Sequence, residues 1–185
     1  MDARRVHRGL RALEGPRRTA RRDLDVLEEY WASDVFSHEG PLFTIPETVV
    51  GLKPRQRPRP PVLLAAFTPG GLRRIGRRFG GWLPAAMPLP HLMDMWDVIQ
   101  KEAVEADRDP ATLRMALRVN PRLTDTKTDP AQMPRAGTLA QYIDYARAAA
   151  EAGVRELFVD FGQTPAGLAE RVDLAGRFLD GVRQG

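Results

Sequence analysis

One stretch limits what this chain can fold into more than any other: Pro60-Pro61-Val62-Leu63-Leu64-Ala65-Ala66-Phe67-Thr68-Pro69-Gly70-Gly71-Leu72. Its two leading prolines set an extended entry and rule out a helix start there. The unbroken apolar run from Val62 to Ala66 predicts a strand buried on both faces. Thr68-Pro69 then reads as an N-cap with proline at the first helical position. Strand, tight turn and capped helix make half of a βα unit, and that turn is where parallel α/β folds bind ligands.

The rhythm continues downstream. Residues 70–79 read as a helix with Arg73, Arg74, Arg77 and Arg78 outward, and Gly80-Gly81-Trp82-Leu83-Pro84 as a short second strand. A loop over 85–90 leads to an amphipathic helix over 91–106, whose inner side is Leu92, Met95, Trp96, Ile99, Ala103 and Ala106. Asp109-Pro110 marks a turn. Residues 113–119 alternate as a third strand, which Asn120-Pro121 ends. The polar segment 124–137 predicts a mobile loop. Thr138 caps a helix to residue 152, with Gly153 as its stop. Residues 154–161 form the fourth strand, and Thr164-Pro165 opens a last helix running to about residue 182. Four strand-helix steps, with connections long enough to cross over, predict an α/β fold with about four parallel strands.

Upstream, the pattern differs. In residues 19–32, Leu24, Leu27, Tyr30 and Trp31 recur at helical spacing and predict a core-facing stripe. Residues 35–46 read as a β-hairpin around Gly40-Pro41, with His38 a lone surface histidine. Residues 51–61, rich in proline and arginine, read as extended. The first 22 residues hold eight arginines against Asp2 and Glu14, a balance of +6, while the whole chain carries +4. The basicity therefore sits in one arm, residues 1–18, read as a short helix or disorder ahead of one domain over 19–185. That arm lacks interleaved aromatics and any DNA-binding pattern, which argues against nucleic acid.

No apolar run is long enough for a membrane helix, and the first residues lack a signal-peptide core. The absence of cysteine excludes disulfides, thiolate metal sites and thiol nucleophiles, and it fits a reducing cytoplasm. The three histidines are scattered, and no nucleophile–histidine–acid set or metal spacing is present. Such a chain suits chemistry carried by a cofactor that the protein binds and orients.

Four segments in order carry a resemblance: Leu24-Asp25-Val26-Leu27-Glu28-Glu29-Tyr30-Trp31; His38-Glu39-Gly40-Pro41-Leu42-Phe43-Thr44-Ile45-Pro46; Lys53-Pro54-Arg55-Gln56-Arg57-Pro58-Arg59-Pro60-Pro61-Val62; and Gly80-Gly81-Trp82-Leu83-Pro84. With Leu117-Arg118-Val119-Asn120 and the segment from Ala152 to Asp160, the order resembles the bacterial luciferase-like monooxygenase family. It is most similar to the branch that uses the deazaflavin coenzyme F420 rather than FMN.

That resemblance implies a partial (β/α)8 TIM barrel, holding the fifth to eighth strands after a helix and a hairpin, with the earlier strands absent. It implies an oxidoreductase or monooxygenase moving hydride between F420, or alternatively FMN, and a small organic substrate. It also implies that Ala66, Phe67 and Thr68 meet the coenzyme's phosphate region. Gly81 and Trp82, which the resemblance also places at the coenzyme, fall in the family's Asp-Gly-Trp strand, where Gly80 here replaces the acid. From the residues alone, Thr68 equally serves as a plain helix cap and Trp82 as core. Asn120 and Asp160 are either ligand contacts or turn formers. Catalytic residues are not assigned. An inactive half-barrel acting as an association module is the other reading, and open sheet edges predict a homodimer or association with another chain.

Overall fold

The computed structural model describes residues 16–130 and 133–184. The chain divides into two compact units at Pro60/Pro61.

The first unit contains α1 (Pro16–Ala32) and an antiparallel hairpin of β1 (Val35–Glu39) and β2 (Thr44–Val49). Most of the arginine-rich arm, residues 1–15, lies outside the described residues. Helix α1 begins at Pro16, where proline's missing N–H costs nothing. Leu24 and Phe36 are buried, and Tyr30 meets Phe36 edge-on at 5.5 Å. Leu27 departs from the expected stripe and is 41% exposed, because one helix and one hairpin bury only a narrow face. His38 is half-buried rather than a free surface side chain, its ring 5.0 Å from that of Phe43. Residues 51–60 form no strand or helix, and Arg59 pairs with Glu28 of α1 at 2.8 Å.

The second unit is a four-stranded parallel sheet. Its strands are β3 (Leu63–Leu64), β4 (Gly81–Trp82), β5 (Arg114–Val119) and β6 (Glu156–Val159), in that spatial order. The crossovers are α2 (Pro69–Arg78), α3 (Leu89–Val104) and α4 (Leu139–Glu151), and α5 (Leu168–Arg183) follows β6. The register sets Leu63, Gly81 and Arg114 side by side, and Leu64, Trp82 and Met115 next. Met115, Leu117 and Val119 are buried, while Arg114 and Arg118 are exposed on the opposite face. The alternation read from the sequence holds at Arg114 and Arg118 and breaks at Ala116, which is buried on their face.

Strand β3 is shorter than its apolar run, and its residues are half-buried rather than buried on both faces. It is an edge strand, and its one neighbour, β4, stops before Pro84. Gly81 is held by close approach, since a Cβ there would lie 2.0 Å from the carbonyl oxygen of Arg114. The last helix begins later than expected. Thr164 closes a 3-10 turn over Phe161–Gln163, and Gly167 caps α5 instead.

Candidate functional site

The carboxyl ends of the four strands gather the segments that follow Leu64, Trp82, Val119 and Val159. After β3, Thr68 adopts an extended N-cap conformation, and its hydroxyl oxygen accepts from the Gly71 amide at 3.3 Å. The Thr68 carbonyl accepts from Gly71 and Leu72 at 2.8 and 2.9 Å. Pro69 has no N–H, so the Gly70 amide opens the helix without an acceptor among the described residues. The Thr68 O–H remains available as a donor. Gly71 is required by packing: a Cβ there would sit 2.6 Å from the Ala66 Cβ. The helix therefore lies hard against the strand end, with a donor-lined turn and a positive dipole end facing out.

Trp82 is fully buried, and its indole N–H donates to the Ala66 carbonyl at 2.9 Å. The exposed Phe67 ring stands 6.2 Å from it, at an edge-on angle. Of the residues singled out by sequence, Ala66, Phe67, Thr68 and Trp82 thus form one connected group. Trp82 acts as its buried post, and Gly81 is buried one position earlier in the strand.

Across the sheet, Arg114 pairs with Glu156 through two bonds of 2.7 Å, and Arg118 meets Asp160 at 3.0 Å. Of the two roles left open by the sequence, Asp160 shows the turn-forming one. One carboxylate oxygen caps the following turn, accepting from Gly162 at 2.8 Å, and the other accepts from Arg118 and Asn120, each at 3.0 Å. The Gly162 amide above all, and then Arg118, hold its carboxyl below the usual carboxylate range. Asn120 accordingly braces Asp160.

The segment after β5, expected to be a mobile loop, is fastened at several of its described residues. Thr124 and Gly137 pair at 3.0 Å, and Gln141 bonds the Thr128 amide and carbonyl. The buried Tyr142 hydroxyl accepts from the Arg122 amide and donates to the Pro134 carbonyl, both at 3.0 Å. One turn further along α4, Tyr145 donates to the Met87 carbonyl at 2.7 Å, fixing the loop after β4. Burial pushes the Tyr145 phenol up to about 12 against a lesser lowering by that bond. Between these loops lie two adjoining concavities of about 350 and 440 Å³, sharing Ala86, Pro134 and Arg135. Sequence reasoning missed them. The signal was present only as two tyrosines three residues apart on one helix and two arginines flanking the loop.

Two other hollows are elsewhere. One of about 620 Å³ touches Arg114 and Glu156 at the amino ends of β5 and β6, the end that stabilises parallel barrels rather than binding substrate. One of about 360 Å³ lies in the first unit beside His38. No cluster of potential metal ligands occurs among the described residues, and no described helix is long and apolar enough to cross a membrane.

A family model described as luciferase-like monooxygenase matches residues 3–153. Among solved structures, an F420-dependent secondary alcohol dehydrogenase in complex with an F420-acetone adduct aligns with TM-score 0.64 at 16% identity, covering 91% of this chain and 64% of that one. The coenzyme F420-dependent tetrahydromethanopterin reductase of Methanopyrus kandleri aligns with TM-score 0.63 at 15% identity, covering 88% and 62%. Long-chain alkane monooxygenase aligns with TM-score 0.60 at 13% identity, covering 95% and 56%. The chain thus spans less than two thirds of each of these proteins. The likeness establishes the fold, a four-stranded parallel sheet with helices like part of a TIM-type barrel. No curated protein resembles the chain in sequence.

Proposed function

The chain belongs to the luciferase-like monooxygenase family, and from that premise we propose that it serves a flavin-type oxidoreduction. The coenzyme is F420 or, alternatively, FMN, and the partner in hydride transfer is a small organic substrate. The observation that carries the reading is the turn after β3, with its open Gly70 amide, its free Thr68 O–H and the close Gly71–Ala66 packing. These groups suit a phosphate. The coenzyme, when bound, supplies the redox chemistry. The protein's part is to fix the phosphate at Thr68 and Gly70, hold the turn in place through Trp82, and offer the apolar Phe67 face beside it.

Titration of the purified chain with F420 and with FMN tests this. Saturable binding of either, weakened by Thr68→Val, is expected. Binding of neither would defeat the proposal.

A second reading, an association module without activity of its own, is favoured by the sheet edges. Strands β3 and β6 each pair on one side only among the described residues, and Phe158 is 57% exposed. Light scattering that gives a homodimer, with no coenzyme bound, would support it. A stable monomer would remove it.

A further inference from the structure

We propose that the paired concavity at the carboxyl end of β5 binds a small organic acid, its anionic head between Arg122 and Arg135. This deepens the functional reading above, because it takes the rim of the sheet as the ligand-binding end and names a substrate class for it.

Neither concavity is lined by a carboxylate among the described residues. Asp160, an acid of the rim, already accepts from Arg118, Asn120 and Gly162. The exposed side chains of Arg122 and Arg135 have no hydrogen bond or ion pair among the described residues, so two positive charges line the hollow uncompensated. Paired guanidinium groups match the two oxygens of a carboxylate or the oxygens of a phosphate ester.

The site is also rigid. Exposed arginines on a slack loop would sample many positions. Here the backbones that carry them are joined through one buried hydroxyl, that of Tyr142, which binds Arg122 on one side and Pro134 on the other. The Gly137 amide closes back on the Arg122 carbonyl at 3.1 Å, and Tyr145 fixes the facing loop at Met87. Preorganisation of this kind lowers the entropic cost of binding. The adjoining 440 Å³ is walled mainly by Met87, Pro88, Met133 and Pro134, with His91 and Arg135 as its polar members, which suits a short hydrocarbon body behind an anionic head.

The test uses the full chain without coenzyme, titrated calorimetrically with hexanoate, hexyl phosphate and the neutral hexanamide. Saturable binding of an acid is expected, with no binding of the amide; the two acids tell a carboxylate site from a phosphate site. The double variant Arg122→Gln/Arg135→Gln should weaken the acid roughly tenfold or more, since each charge-assisted contact is a large share of a small ligand's affinity. Arg183→Gln, an exposed charge in the last turn of α5, should leave it unchanged. No saturable binding of either acid, an equal affinity for hexanamide, or equal binding by the double variant would overturn the proposal. So would an equal loss in Arg183→Gln. The coenzyme reading is judged separately by FMN and F420 titrations: coenzyme binding without acid binding sinks only the inference made here, and the reverse sinks only the coenzyme reading.

Discussion

Replacing Tyr142 by phenylalanine isolates the device on which the rim after β5 depends. The ring is 1% exposed and its shape is kept, so no cavity beyond one oxygen is made. Two backbone groups lose their partner: the Pro134 carbonyl, in a buried residue, and the Arg122 amide, each bonded at 3.0 Å. A buried group left unsatisfied costs roughly 1–3 kcal/mol, and the amide of the exposed Arg122 belongs at the low end, which gives about 2–3 kcal/mol in all. For a chain of this size that corresponds to a fall in Tm of roughly 4–12 °C. Circular dichroism melts give the shift, and hydrogen exchange of the Arg122 amide should quicken alongside it. Tyr30→Phe, which removes a hydroxyl with no partner among the described residues, should change little. A Tyr142→Phe protein that melts within about a degree of wild type, with Arg122 exchange unchanged, would refute the reasoning.

Other outcomes follow from the same geometry. The Tyr145 phenol is raised from 10.0 to about 12 in the fold, so its neutral form is favoured there. Its contribution, about 2–3 kcal/mol from that shift, is complete below pH 10 and lost as the pH climbs towards 12; wild type should lose stability more steeply than Tyr145→Phe over that window. The depressed carboxyl of Asp160 works in the opposite sense, present above the ordinary carboxylate range and lost as pH falls through its folded value. Asp160→Asn should flatten that acid limb of the stability profile, read by melts across low pH. Gly71→Ala, whose Cβ would lie 2.6 Å from that of Ala66, should cost about 1–3 kcal/mol despite a better helix former. Gly70→Ala, with only an arginine tip at 4.0 Å, should be neutral or slightly stabilising in the same melts.

The elements with strong local signals were legible in advance. Thr68-Pro69 and Thr138 announce helices because their caps act within four residues, and Thr138 indeed forms a capping box with Gln141. The alternation of β5 needed only its own sequence. Thr164-Pro165 carries the same local signal as Thr68-Pro69 yet closes a 3-10 turn, because chain geometry after Asp160, not composition, decides where α5 starts. Strand β3 came out short because its length is set by what pairs with it. The rim was the least legible part. Helical periodicity implies that Tyr142 and Tyr145 are buried, but not that their hydroxyls reach loops 8 and 58 residues away. The charge pairs between β5 and β6 left a faint trace, since Arg114–Glu156 and Arg118–Asp160 are both separated by 42 positions. Only the register makes that equality meaningful.

The most direct measurement of the central claim compares FMN with riboflavin, which lacks the phosphate, on wild type and on Thr68→Val, by fluorescence titration. The account predicts that FMN binds more tightly than riboflavin by roughly tenfold or more, and that Thr68→Val narrows this gap while leaving riboflavin nearly unaffected. Equal affinities for the two in the wild-type protein would contradict it.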